Sequence, residues 1–217
     1  MDAKKIFLAV ILPTVLGIAV LPCFAAESEV VKKFTEALDS KNAIKMDEVI
    51  KANKEKIPDE VKTLLDAAIA PDAKEDEKES NFYLAELLAK GYSDATGDFK
   101  PLKSVKTVVF NSKLTPATRS KAENGVHTVI APKSTDHVKN VFLPDNIIIK
   151  KGETVKWVNN DDSAHVLVSM PVIGIGGIKA TRVEPGQSWE FKFEKPGDYY
   201  YICYIHKGMV GRITVEE

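Results

Sequence analysis

The sequence predicts a mainly β protein: a Greek-key β-sandwich over about residues 126–217, preceded by a small α-helical region over 26–92. Two changes along the chain carry that reading. Up to Tyr92 apolar residues recur at helical spacing, as in Val30, Val31, Phe34 and Leu38. From Val126 the period falls to two, and short apolar runs are separated by turn residues. At 217 residues, 44% hydrophobic and 28% charged, the chain can bury a core and is neither disordered nor fibrous.

Within the helical region a second run reads Val61, Leu64, Leu65, Ala68 and a third Phe82, Leu84, Leu87, Leu88. Pro58 and Pro71 stand where helices start, and Lys90 with Gly91 reads as a cationic last turn and C-cap. Three or four short helices are expected. The acidic stretch 72–79 reads as a solvated helix face rather than a dock for a basic partner. Residues 93–125 shift to Lys, Ser, Thr, Asn and Pro and read as a linker with a strand-like island at 105–110.

Net charge is -1, with 11 basic and 16 acidic side chains over 27–92 and 11 of each over 126–217. No basic stripe marks a nucleic-acid partner. At the N-terminus, Lys4 and Lys5 precede an uncharged run over 6–21, followed by the small residues Cys23, Ala25 and Ala26. That pattern reads as a signal peptide over 1–25, directing the chain to a periplasmic or extracytoplasmic location. Left uncut, the run would be an anchor, and only then is a membrane contact expected. Cleavage after Ala25 leaves Cys203 as the sole cysteine in an oxidising compartment, where structural cysteines pair. Soft-metal ligation accounts for a solitary one.

In the sandwich, Val126, Thr128 and Ile130 alternate, 147–149 lead to a Lys151-Gly152 turn, and 154–158 form the next strand. Trp189, Phe191 and Phe193 alternate with Glu190 and Lys192; strands at 199–203 and 211–215 flank the last loop. Alternation puts Tyr199 and Tyr201 on the face of Cys203, as core. The apolar segment 170–178 contains Pro171, Gly174, Gly176 and Gly177, which suits neither a continuous strand nor a plain loop. Part of it is expected as an exposed patch beside the metal.

The informative motif is Cys203-Tyr204-Ile205-His206-Lys207-Gly208-Met209: a thiolate, an imidazole three residues on and a thioether three further. Together these soft donors suit copper cycling between two oxidation states, whereas zinc would rarely use the Met. A second imidazole comes from His165, because 159–164 reads as a turn after the Trp157 strand and sets His165 at the next strand start. His127 and His137 read as surface or hydrogen-bonded histidines.

On the Gly152-Glu153-Thr154-Val155-Lys156-Trp157-Val158-Asn159 run, His165, the Pro196-Gly197-Asp198-Tyr199-Tyr200-Tyr201-Ile202-Cys203 run and the Gly208-to-Val215 segment, the chain resembles the plastocyanin/azurin family of cupredoxins. The short Cys-to-Met spacing is similar to the amicyanin type. The resemblance implies one copper per chain, with His165, Cys203 and His206 as equatorial ligands and Met209 as the axial one. It implies a one-electron carrier and no enzyme, with redox protein partners such as a c-type cytochrome, a dehydrogenase or an oxidase. The rival readings are a red-copper, nitrosocyanin-like protein and a copper carrier or storage protein. Two positions depart from the family: Val166 stands for the usual Asn after the first His, and Ile205 for the usual Pro before the second. The Ile205 N–H is expected to donate to the Cys203 sulfur.

Overall fold

The computed structural model describes residues 28–135 and 138–217. The expectations for the signal segment, Cys23 and His137 fall outside them. Five helices are described: α1 Glu29–Asp39, α2 Ala43–Ala52, α3 Ile57–Ala68, α4 Glu75–Thr96 and α5 Lys100–Asn111. Ser28 caps α1 by accepting from the Val31 N–H, and Asn42 caps α2 by accepting from Lys45. Glu75, Asp76 and Glu77 fill the first turn of α4, where the helix dipole favours carboxylates. The helices close on Phe34, Ile57, Val61, Leu84, Leu88 and Val105, all buried.

Two expectations here are corrected. Gly91 is no C-cap: α4 runs through it to Thr96 and ends on Gly97, whose φ of +76° is the left-handed conformation a capping glycine supplies. Gly91 is small because the Ile50 side chain packs where its Cβ would be. The strand-like island at 105–110 is the second half of α5. Its valines fit either period; Asp98, accepting from the Lys100 N–H, and Pro101 start a helix there, and Pro101, Val105 and Phe110 turn inward.

The remaining described residues form nine strands: β1 Thr118–Arg119, β2 Val126–Ala131, β3 Asn146–Lys150, β4 Thr154–Asn159, β5 His165–Ser169, β6 Thr181–Val183, β7 Ser188–Lys192, β8 Gly197–Cys203 and β9 Val210–Glu216. They build two sheets, β1-β3-β9-β8-β5-β6 and β2-β4-β7. Neighbours distant in sequence, such as β3 beside β9, give the crossing path of a Greek key. Between the sheets lie Trp157, Phe142, Phe193, Tyr199, Tyr201, Leu167 and Ile213. Tyr201 sits edge-on to Trp157 with ring centroids 5.3 Å apart, a favoured aromatic geometry. Trp189 and Phe191 close the margin, half-buried.

The outer face of β8 is covered too. Tyr200 packs edge-on against Phe110 of α5, centroids 5.1 Å apart, with Ile173 buried beside them and Leu114, Met170, Ile202 and Val210 around the rim. Polar contacts tie the same junction: Thr115 bonds Asp145, Asn146 donates to the Thr115 carbonyl at 2.7 Å, and Arg212 reaches Asn111. Segment 170–178 therefore divides, with Ile173 and Ile178 buried and Val172 left exposed.

Candidate metal centre

One end of the sandwich gathers three of the predicted donors, His165, Cys203 and His206. β5 opens on His165 and β8 closes on Cys203, the two strands being paired with Leu167 opposite Cys203. After Cys203 the chain turns at once: the Tyr204 N–H donates to the Val166 carbonyl at 2.7 Å. The loop closes where the Cys203 N–H donates to the Met209 carbonyl at 2.9 Å, with Gly208 in the left-handed conformation (φ +85°) one residue before. His206 is thus carried by a loop whose two ends are fixed in adjacent strands.

The donor atoms converge. His165 Nδ1 and His206 Nδ1 are 3.0 Å apart, and Cys203 Sγ lies 3.7 Å from the first and 3.4 Å from the second. Among the described residues this is the group of His, Cys and acidic side chains placed to hold a metal ion. His165, Cys203 and Met209 are buried and His206 is partly exposed. A point equidistant from the three donor atoms lies about 2.0 Å from each, the length of a first-row metal bond to imidazole and slightly short of one to thiolate. Two imidazole nitrogens and a sulfur facing one another so closely need a shared cation, and the donors are those that suit copper. The residues present fit the ion.

Electrostatics agree. Burial, and then the neighbouring His206, pushes the His165 imidazole below its ordinary pKa, against the opposing pull of Asp161. A neutral ring, with a lone pair to offer, is the form that ligates. The Cys203 sulfur accepts a hydrogen bond from the Val166 N–H at 3.4 Å. That corrects the expectation placed on Ile205: the turn after Cys203 carries Ile205 outward, half-exposed, and the backbone donor on the sulfur belongs to the other ligand strand. Replacing the family's Asn by Val166 changes a side chain and leaves this backbone donor in place.

His127 stands apart from the group. It is buried on β2 with Nε2 2.9 Å from the Glu153 carboxylate. Three participants were not foreseen: the Val166 N–H, Asp161 and Asn159. Asn159 donates to the Ser163 and Val183 carbonyls and accepts from the Asp161 N–H, fixing the turn that delivers His165. In the sequence that turn shows only as a polar run.

A two-sheet β-sandwich with a His, Cys, His group at one end, two of its members buried, is the arrangement of a cupredoxin. Residues 130–216 match the family model for copper binding proteins of the plastocyanin/azurin family. A plastocyanin from Scenedesmus fuscus is 39% identical over 85 residues, which are 35% of this chain and 87% of that one. Amicyanin from Paracoccus versutus is 32% identical over 79 residues, 36% of this chain and 60% of that protein, so the chain spans about three fifths of that relative. Among solved structures, the novel purple cupredoxin from Nitrosopumilus maritimus is 31% identical, with 41% of this chain and 98% of that one covered at a TM-score of 0.37. The chain belongs to the plastocyanin/azurin family of copper binding proteins.

Proposed function

We propose that the protein is a type 1 copper protein that carries single electrons between redox proteins outside the cytoplasm, with His165, Cys203 and His206 as equatorial ligands and Met209 as the axial one. The observation that carries this reading is the convergence of two Nδ1 atoms and one Sγ at bonding separation around a common point. Copper held there supplies one-electron exchange between its two oxidation states. His165 and Cys203 are anchored in paired strands, and the Val166 N–H disperses charge from the sulfur. His206, partly exposed beside the exposed Tyr204 and Ile205, gives a redox partner its point of approach. No substrate bond is made or broken, so no enzyme activity is proposed.

The proposed organisation is a signal peptide over 1–25, a helical domain that starts at 26 and, with the rest of α4 and α5, extends past 92 to Asn111, a linker over 112–125 and the copper domain over 126–217. The periplasmic or extracytoplasmic location rests on the N-terminal pattern and the solitary mature cysteine. No helix of the described residues is long and apolar enough to cross a membrane.

The test is a visible spectrum of the purified chain titrated with Cu(II). One equivalent should produce an intense thiolate-to-copper band that Cys203→Ala abolishes and His165→Ala weakens, while His127→Ala and His137→Ala leave it unchanged. A colourless Cu(II)-loaded wild type would remove the proposal, and a red chromophore would favour an open-site copper protein instead.

A further inference from the structure

Asp161 is a buried carboxylate with an unusual number of donors aimed at it. Its Oδ1 accepts from the backbone N–H groups of Ser134 and Asp162, each at 2.9 Å. Its Oδ2 accepts from the hydroxyls of Ser163 at 2.8 Å and Ser134 at 3.2 Å. Four donors converging on two oxygens are the partners that an ionised carboxylate, an acceptor only, can satisfy in full. The remaining side of Oδ2 faces His165, whose Nε2 is 3.3 Å away, with both side chains almost fully buried. The Nε2–H points somewhat off that line, short of a straight hydrogen bond, and the nitrogen has no other partner. An orphaned, buried imidazole N–H and a fixed buried anion thus face each other on the side of the ring opposite the metal centre.

We propose that Asp161 is a positioning residue for this centre: it accepts the His165 Nε2–H, locks the tautomer that leaves Nδ1 free for the metal, and lowers the reduction potential. The inference rests on His165 being a copper ligand. A carboxylate behind a ligating histidine fixes ring orientation and makes the ring a stronger donor. Its negative charge stabilises the oxidised, more positive state of the centre over the reduced one.

Asp161→Asn tests this with little change of shape. Two backbone N–H groups hold Oδ1 in place, so the amide nitrogen takes the position of Oδ2 and presents a donor to a donor. The variant should keep its thiolate band while its preference for Cu(II) over Cu(I) falls about tenfold, within the range seen for such outer partners. By spectroelectrochemistry that is a rise of about 59 mV for a one-electron couple. Ser163→Ala removes a donor and keeps the charge, so it should lower the melting temperature and leave the potential within about 10 mV, less than a twofold change. An Asp161→Asn potential equal to that of wild type overturns the proposal and leaves the copper reading standing, whereas a wild type with no thiolate band overturns both. Should Asp161→Asn not fold, imidazole nitrogen NMR of the Cu(I)-loaded wild type decides. A slowly exchanging proton on His165 Nε2 is expected, and a freely exchanging one overturns the role.

Discussion

In the helices charge sits outside and pairs locally: Lys33 with Glu29, Lys51 with Asp47, Lys62 with Asp66, Lys90 with Asp94, each one turn apart and exposed. In the sandwich the polar groups are inside and pair across elements: His127 with Glu153, Asn159 with Val183, Asp161 with Ser134 and His165. Exposed pairs of the first kind contribute little to stability, while buried polar groups of the second kind, joined across elements, hold the chain to one geometry. The helical region reads as a scaffold closed by apolar contact, and the sandwich as a frame built to hold its ligands still.

The junction is where that contrast can be broken most forcefully. Phe110→Ala empties the space against Tyr200 and Ile173 and should cost about 3–5 kcal/mol. Both tryptophans lie in the sandwich, so their fluorescence follows that part while far-ultraviolet dichroism follows the helices. The two transitions should coincide in the wild type and separate in the variant. Coincident melting in both would mean that the junction is not the coupling.

A glycine-to-alanine exchange sharpens the comparison. At Gly211 the new Cβ would fall 2.3 Å from a ring carbon of Tyr201, a rigid group held between the sheets, and a loss of about 1–3 kcal/mol is expected. At Gly91 it would meet the mobile end of Ile50, at 2.1 Å, while gaining roughly 1 kcal/mol of helix propensity. Chemical denaturation should therefore show a clear loss for Gly211→Ala and a change within about 1 kcal/mol for Gly91→Ala. Equal losses would refute the distinction between rigid and yielding neighbours.

The smallest effect concerns acid. The Glu153 carboxyl is held below its ordinary pKa by the Lys150 N–H at 2.6 Å, against the cost of burial and with help from His127. A depressed carboxylate stabilises the fold above its unfolded value near 4.3, and that contribution is lost as pH falls through the folded value. Glu153→Gln should remove about 1 kcal/mol at neutral pH and flatten the loss of tryptophan-reported stability between about pH 5 and 3. An unchanged acid slope would exclude this pair.

Period and donor spacing made the sandwich and its His, Cys, His group legible, because alternation fixes the face of Cys203 and the turns fix the ends of its loop. Less was legible where one pattern serves two structures. The valines of α5 suit strand or helix, and Gly91 suits a cap or a close approach until Ile50 is placed against it. Asp161 was hidden for another reason: half of the donors that fix its carboxylate come from Ser134, 27 residues away in the chain, and no local spacing encodes that meeting.

The delivery of His165 hangs on one amide, that of Asn159. Its Nδ2 donates to two carbonyl oxygens, of Ser163 and Val183, and its Oδ1 accepts the Asp161 N–H. Hydrolysis of that amide to an acid alters the outline of the side chain hardly at all, yet it turns the double donor into an oxygen facing two oxygens. A one-dalton change at this residue would loosen the turn that presents both His165 and Asp161, so an Asn159→Asp protein should lose its metal geometry before it loses its fold.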